Sequence, residues 1–387
     1  MNTKTLIIMT LIFSTVCCHD NNDEEYFKGE IRYFDERDKI VKNVTSTVIH
    51  DDNTYSGSIA VYDSLVICWN PRLPNCFFNV FNLETGKEIG LFCNRGQGPE
   101  ESSTVNPIVQ YFKKGTDLIT ILNANNENRL LFWNISKSVE QRKTVFESII
   151  SYENRNEDKS PHHDLIYFQS DDILLARVAA WMINLEESTT LYYEKRTIHN
   201  NQLLREYPIY KKTMRKGNAK ILPSSFFHSN DVIKPDGSKM AQAMLLLPQI
   251  NILDIHTGNL VGYRIKRGPG FSIFESRTFM YDDFNSYYSS IQADDNYIYA
   301  TYWGKTYWSI MKNQIPFLNT IHVFDWNGKQ LYELITDRTF FHISLDPVRN
   351  RLYTIDLETD ELSFIDLNKL KMISLNIMQS AYLDFNE

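Results

Sequence analysis

One stretch of the chain is dense in side chains that can bind ring-shaped or extended ligands. Eleven aromatic residues fall between residues 279 and 308. Aromatic faces stack on sugar rings and on peptides, and Tyr and Trp add a hydrogen-bonding group. Alternation along 297–303 divides these side chains between the two faces of a strand, and one face must pack inside the protein. The candidate ligand-binding residues lie in and beside the segments 281–290 and 304–308, and they are Tyr287, Tyr288, Trp303, Tyr307 and Trp308.

Other groups of reactive side chains are better explained as parts of loops and turns than as catalytic or metal-binding sites. The run His162-His163-Asp164 could supply metal ligands, but it follows a charged segment that is typical of a solvated loop. Adjacent acidic pairs such as Asp294-Asp295 point to opposite faces of a strand, which favours polar turns over a shared site. No Ser, His and Asp combination stands in the sequence context of a nucleophile. The residues therefore predict no catalytic group, no metal site and no cofactor, which disfavours an enzyme.

The composition indicates a globular, strand-rich protein. The 387 residues are 43% hydrophobic and 23% charged, which allows a packed core. Lys and Arg total 40 against 48 Asp and Glu, and a net charge of −8 argues against nucleic acid as a partner. The aromatic content of 13% favours half-buried strands.

A unit of strand, polar turn and strand recurs along the chain. The clearest copies cover 78–89, 250–260 and 321–331, and their turns contain Thr-Gly or Asn-Gly pairs. These pairs supply the positive backbone angles of tight turns, and Asp254 and Asp325 can accept hydrogen bonds from the turn amides. Weaker copies lie at 130–139, 191–204 and 362–370, which makes six units.

Six strand-rich repeats without a sustained helical apolar stripe predict an all-β fold. We expect a six-bladed β-propeller of mostly four-stranded antiparallel blades, because radial sheets leave only short, protected edges. The uneven spacing between the hairpins leaves a pair of β-sandwiches or a seven-bladed ring as alternatives. The propeller domain is predicted to span 29–387 as a single unit.

The first 17 residues have the properties of a cleaved export signal. An apolar run from Leu6 to Phe13 follows Lys4 and is too short to cross a bilayer. It ends at Cys17 and Cys18, and an acidic segment follows. This pattern resembles a bacterial lipoprotein signal, which implies a lipid on Cys18, with Cys17 as the alternative, and an acidic tether over 18–28. The acidic run also resembles the export tag of surface lipoproteins, so we expect an outer-membrane lipoprotein outside the cytoplasm.

Three cysteines remain after the signal: Cys68, Cys76 and Cys93. Disulfides persist outside the cytoplasm, and Cys68 and Cys76 flank a short turn, so they could close a hairpin bridge. Three reduced, buried thiols explain the sequence equally well.

A glycine-rich motif carries a family resemblance. It runs from Asn94 to Glu101, and Lys266 to Phe271 is a partial copy after the fourth hairpin. The motif lacks the Gly-Lys-Ser/Thr end of a phosphate loop, which favours a sharp turn between blades. Behind a lipoprotein signal and within six repeats, it resembles the TolB-like or NHL-like six-bladed propeller lipoproteins of Bacteroides-type bacteria. The residues that carry the resemblance are Arg95, Gly96, Gly98, Pro99 and Glu100.

The resemblance implies a binding or scaffold role with no agreed catalytic residues. The sequence therefore predicts a lipid-anchored binding propeller for a glycan, a peptide or a protein of the envelope. The alternative is a metal-dependent propeller hydrolase or lyase, with calcium at the mouth of the central tunnel.

Overall fold

The computed structural model describes residues 23–370 except 50–52, 54, 56, 125–126, 152–162, 179–191, 212–226, 276–283, 307, 310–311 and 313–317. Within these residues the strands form six separate sheets, which are arranged as the blades of one propeller. The six-bladed propeller that the repeats predict is therefore confirmed, and the two alternative folds are excluded.

Three blades come from consecutive strands of the chain and have four antiparallel strands each. Blade 1 consists of β4 (Ser58–Tyr62), β5 (Leu65–Trp69), β6 (Cys76–Asn82) and β7 (Glu88–Asn94). Blade 2 consists of β8 (Phe112–Lys114), β9 (Asp117–Ala124), β10 (Arg129–Asn134) and β11 (Phe146–Ser151). Blade 3 consists of β12 (His163–Ser170), β13 (Ile173–Val178), β14 (Tyr192–Thr197) and β15 (Leu203–Pro208).

The other three blades each take one strand from the start of the chain. Blade 4 consists of β16 (Ser229–Ile233), β17 (Lys239–Met244), β18 (Gln249–Asp254) and β19 (Leu260–Ile265), with β1 (Glu30–Phe34) added parallel to β19. Blade 5 consists of β20 (Asn285–Ala293), β21 (Tyr297–Thr306), β22 (Thr320–Asp325) and β23 (Gln330–Thr336), with β2 (Ile40–Val44) added parallel to β23. Blade 6 consists of β24 (Ile343–Asp346), β25 (Arg351–Ile355) and β26 (Leu362–Asp366), and β3 (Thr47–Val48) completes it as the outermost strand.

The segment from residue 30 to residue 48 therefore runs along the outer edges of three successive blades. We call it the strap. It adds a fifth strand to blades 4 and 5, and its last two residues close the ring by pairing with Ser363 and Phe364. The first strand of each blade lies on the inside, and β16 contacts β20, β20 contacts β24, and β24 contacts β4.

The hydrophobic core consists of six layers, one between each pair of neighbouring blades. In the layer between blades 1 and 2, for example, Phe78 and Trp133 lie with ring centroids 4.9 Å apart. Both faces of a blade are consequently buried, which explains why the strands are rich in aromatic and branched residues on both sides.

The turn chemistry of the three clear hairpins is as predicted. Gly86, Gly258 and Gly328 all have positive φ angles, at 65°, 81° and 81°. Asp254 Oδ1 accepts a hydrogen bond from the amide of Thr257 at 2.7 Å. Asp325 accepts one from the amide of Asn327 at 2.9 Å.

Two of the weaker hairpin copies, at 130–139 and 362–370, are wrong. In the copy at 362–370, helical residues 367–370 follow β26, and the outer partner of β26 is β3. After β10 the chain forms a helix, α2 (Ile135–Gln141), in place of a tight turn. The side chain of Asn134 caps this helix by accepting a hydrogen bond from the amide of Lys137 at 2.9 Å. A second short helix, α1 (Asp23–Tyr26), precedes the strap. No helix among the described residues is long and apolar enough to span a bilayer.

The predicted disulfide between Cys68 and Cys76 is absent, and both residues, like Cys93, are free and buried. Cys68 lies opposite Asn79 in the ladder of β5 and β6, three positions beyond Cys76. Three positions along a strand span about 10 Å, beyond the usual Cα separation of a disulfide. The alternative of three buried, reduced thiols therefore applies. Burial also raises the pKa of the Cys68 thiol to about 12.

The predicted acidic tether also needs correction over its second half. Residues 23–28 belong to the folded domain, because Tyr26 and Phe27 are buried in the layer between blades 3 and 4. Asp23 Oδ2 accepts a hydrogen bond from Arg264 Nη1 at 2.6 Å, and the arginine is itself buried. The remaining part of the tether and the signal segment lie outside the described residues.

We predict that Asp23→Ala lowers the free energy of unfolding by about 3–5 kcal/mol, because it leaves the buried guanidinium of Arg264 without its counter-ion. The exposed neighbour Glu25 provides a matched control, and Glu25→Ala is expected to change stability by less than about 0.5 kcal/mol. Urea denaturation of the two variants measures both effects. Equal stabilities would contradict the packing of this segment.

Candidate functional site

The two ends of the propeller differ in their connections. Strands alternate in direction, so the links from second to third strand and from each blade to the next share one end, which we call the loop face. The opposite end, the turn face, has two-residue turns at 63–64, 115–116 and 171–172. The longest links all belong to the loop face, at 95–111, 179–191, 209–228, 266–284 and 307–319. Ligand sites concentrate on such connections because a rigid scaffold positions them.

Two of the predicted ligand-binding aromatics are core residues instead. Tyr288 is fully buried in the layer between blades 4 and 5, and Tyr287 is 7% exposed. They lie on β20, the inner strand of blade 5, whose two faces contact the neighbouring blades. These two residues are therefore removed from the candidate surface.

The remaining aromatic candidates cluster at the loop-face end of β21. Trp308 is 41% exposed, and Lys312 Nζ lies 4.3 Å from its ring centroid. Trp303 is partly exposed and packs against Phe341, with ring centroids 5.7 Å apart. The indole Nε1 of Trp303 is buried and has no hydrogen-bond partner among the described residues. Tyr307 lies outside the described residues. The exposed Trp308 ring is therefore the aromatic surface that a ligand could stack on, whereas the indole nitrogen of Trp303 does not face solvent.

The His162-His163-Asp164 run does not converge on one point. His162 lies outside the described residues, while His163 Nε2 lies 2.7 Å from Glu194 Oε2. Glu194 in turn accepts a hydrogen bond from Arg196 Nε at 2.5 Å. The adjoining cavity, between blades 2 and 3, holds about 20 Å³, enough for about one water molecule.

Asp164 points the other way, into a buried ion cluster between blades 3 and 4. Arg177 binds both oxygens of Asp164, at 2.9 and 2.6 Å, and reaches Asp231 Oδ2 at 2.8 Å. The same guanidinium donates to the backbone oxygen of Ser229 at 3.0 Å, and the hydroxyl of Tyr193 donates to Asp231. Burial alone would lower the pKa of Arg177, but the two carboxylates hold it well above its usual value. Because the arginine occupies both carboxylates, this cluster acts as a clamp between blades.

The sequence analysis did not predict this clamp, although one strand of the sequence indicates a buried ion pair. Arg177 stands in the strand Ile-Leu-Leu-Ala-Arg-Val, where a charge among apolar residues needs a buried partner. No group of three or more His, Cys, Asp or Glu side chains converges within the part of the chain that the structure describes.

The motif loop after β7 is organised by its own residues. The guanidinium of Arg95 donates to the backbone oxygens of Pro71, Leu73 and Cys76, at 2.9 to 3.1 Å, and lies 3.9 Å from the ring centroid of Phe77.

The glycines of the loop make room for an acidic side chain. Glu101 Oε2 accepts a hydrogen bond from the amide of Gly98 at 3.0 Å, and a Cβ on Gly96 would lie 1.9 Å from the same oxygen. Pro99 and Glu100 are exposed at its tip. The arrangement is that of a sharp turn between blades 1 and 2.

A buried histidine links blade 5 to the strap. The ring of His322 stacks on Tyr302 at 3.9 Å, and its Nε2 lies 3.1 Å from Glu333 Oε2. Glu333 is also paired with Lys39 of the strap. Burial lowers the pKa of His322 to about 4, whereas the hydrogen bond from His322 helps to lower the pKa of Glu333 to about 2.

This histidine makes stability depend on pH. The unfolded chain binds a proton near pH 6.5 and the folded chain only near pH 4, so stability falls as pH drops from 6.5 to 4. We predict a loss of about 3 kcal/mol over this window from His322 alone. The Glu333 contribution is lost only between about pH 4.5 and 2.

Urea denaturation of His322→Gln at pH 7 and pH 4.5 measures this slope, which should become flatter than in the parent. The exposed His256 is the control, and His256→Gln should keep the parent slope. An unchanged slope in His322→Gln would contradict a neutral, buried ring.

Comparison with known proteins found a matching family and similar solved structures. A family model described as TolB-like 6-blade propeller-like matches residues 38–347. A crystal structure of a member of the DUF4221 family from Bacteroides vulgatus superposes with a TM-score of 0.51 at 12% identity, covering 83% of this chain and 97% of that chain. The β-propeller domain of Cps50 (Swd1) from Myceliophteria thermophila gives a TM-score of 0.40 at 9% identity, with 83% and 99% covered. No curated protein matches the sequence.

Proposed function

The chain belongs to the family of TolB-like six-bladed propellers, and from this premise we propose that it is a lipid-anchored binding module that works outside the cytoplasm. Its ligand is a glycan, a peptide or an envelope protein, and it binds on the loop face. The observation that carries the proposal is the asymmetry of the two ends, since the long connections and the exposed Trp308 share one face.

The chemistry of this face supports binding through aromatic stacking. The exposed indole of Trp308 offers a flat apolar surface, and Lys312 beside it adds a positive charge. A carboxylated sugar or an acidic peptide can use both groups at once, by stacking and by ion pairing. The paired carboxylates that would favour a metal-dependent hydrolase are held by Arg177.

The sequence around Cys18 supports the anchor. Cleavage of the signal before this residue would leave its thiol and amino group to carry lipid, and two or more acyl chains suffice for stable membrane attachment. The anchor replaces a spanning helix, and the propeller stays outside the bilayer.

The anchor is tested by Cys18→Ser and Cys17→Ser, measured by membrane fractionation and by incorporation of radiolabelled palmitate. We predict that Cys18→Ser abolishes palmitate incorporation, while Cys17→Ser and the buried Cys68→Ser keep it. Palmitate incorporation that persists in the Cys17→Ser/Cys18→Ser double variant would contradict lipid anchoring.

The binding face is tested with the purified chain on a glycan array and a peptide array. We predict that Trp308→Ala weakens capture at least about tenfold, which corresponds to about 1.4 kcal/mol. Leu203 is a matched control because it is 42% exposed and lies at the turn-face end of β15. Loss of capture in Leu203→Ala, or unchanged capture in Trp308→Ala, would contradict a site on the loop face.

A further inference from the structure

Three large hydrophobic side chains are exposed on one part of the loop face. Phe341 is 37% exposed in the connection from blade 5 to blade 6, and Leu357 is 40% exposed in the connection from β25 to β26. The third is Trp308, in the connection from β21 to β22. We call these three side chains the apolar patch. Exposed apolar side chains that gather on one surface indicate an interaction site.

Backbone hydrogen bonds hold the connections of the apolar patch together. The amide of Leu357 donates to the oxygen of Thr339 at 3.0 Å, and the amide of Phe340 donates to the oxygen of Leu318 at 2.7 Å. Phe340 is buried in the layer between blades 5 and 6, whereas its neighbour Phe341 is exposed. The fold therefore presents the apolar patch on connected loops, which lowers the entropic cost of binding there.

The charged side chains beside Leu357 are already paired. Arg338 Nη1 lies 2.8 Å from Glu361 Oε2 and 3.5 Å from Asp356 Oδ2. The hydroxyl of Thr359 also donates to Glu361, at 2.9 Å. The hydroxyl groups of a sugar need free hydrogen-bonding partners when they leave water, whereas an apolar side chain needs only an apolar surface. This part of the loop face therefore suits the apolar side chains of a polypeptide better than a glycan.

The charge at the apolar patch favours an acidic partner. Lys312 Nζ lies 4.3 Å from the ring centroid of Trp308, and this lysine forms no ion pair within the described residues. A carboxylate that approaches Trp308 therefore gains a charged hydrogen-bond donor. A second copy of this chain would bring its own Lys312 to the same surface, and like charges repel.

We propose that the apolar patch binds a polypeptide segment in which Leu or Phe side chains stand beside Asp or Glu. The apolar side chains cover Phe341 and Leu357, and a carboxylate pairs with Lys312. The inference rests on the proposed binding role of the loop face and is independent of the lipid anchor. It deepens that role because it names the class of ligand and extends the site from blade 5 to blade 6.

The experiment measures binding to the purified chain by fluorescence polarisation with matched sets of short synthetic peptides. One set combines Glu with Leu and Phe, another has Gln in place of each Glu, and another has Ser in place of each Leu and Phe. Oligosaccharides that contain uronic acid are the glycan probes. Vesicles of phosphatidylcholine and phosphatidylglycerol test a lipid surface, and analytical ultracentrifugation tests self-association.

The variants are Phe341→Ser and Leu357→Ser. Val348→Ser is the matched control, because Val348 is 54% exposed and lies in the turn of blade 6 on the turn face. Urea denaturation establishes that each variant folds. We expect peptides of the first set to bind, each of the two variants to weaken binding at least about fivefold, and the control to leave it unchanged. Peptides with Gln or Ser replacements should bind at least about fivefold more weakly than the first set.

The other outcomes separate this inference from the proposed function. Binding of the oligosaccharides alone, weakened by Trp308→Ala, would overturn the inference and leave the proposed function intact. Peptide binding that is unchanged in both Phe341→Ser and Leu357→Ser would also overturn the inference alone. Vesicle binding or self-association that is lost in Phe341→Ser would replace the polypeptide with a lipid surface or a second copy. Absence of binding to every probe would contradict the inference and the proposed function together.

Discussion

Everything in this molecule depends on closing a ring of six sheets. The closing strand β3 contributes only Thr47 and Val48, so its short ladder with β26 alone stabilises the closed ring weakly. The ring is also fastened at its interfaces by polar contacts from one blade to the next. The hydroxyl of Ser344 accepts from the amide of Val61 between blades 6 and 1, and Asn230 donates to the oxygen of Tyr288 between blades 4 and 5. Arg177 fastens blades 3 and 4 more strongly, because a buried guanidinium that loses a carboxylate is left uncompensated.

Local patterns made the architecture predictable. A tight turn needs a positive φ, and few residues other than glycine accept that conformation. Gly86, Gly258 and Gly328 therefore indicate the positions of the hairpins in the sequence. The strap, by contrast, has no local signature. Asp23 pairs with Arg264, which lies far along the chain. The strand β1 is added parallel to the outer edge of blade 4, and this arrangement requires no turn that the sequence could reveal. The acidic residues before the strap indicate a solvated tether by composition, and only the fold shows that Asp23 has a buried partner.

The candidate site was predictable in part for the same reason. Alternation along β21 indicates which aromatic residues share a face, and the structure places Ile298 and Tyr302 in one layer and Tyr299 in the next. Whether a face meets solvent or another blade depends on neighbours far away in the chain. Tyr288 and Trp308 both belong to the aromatic-rich stretch 279–308, but Tyr288 is buried and Trp308 is exposed. A propeller buries both faces of every blade, so exposed aromatic residues are confined to its ends and outer edges.

The order in which the chain is fastened has a mechanical consequence. A pull on the backbone before residue 23 first loads the ion pair with Arg264, then the aromatic residues packed beside Tyr210, and then the parallel ladder of β1 on β19. This ladder pairs five residues of each strand, whereas the ladder of β3 pairs only two. The two residues that close the ring come after all of these contacts and after β2 in the chain, so a pull at the start of the chain must break the earlier contacts before it loads β3.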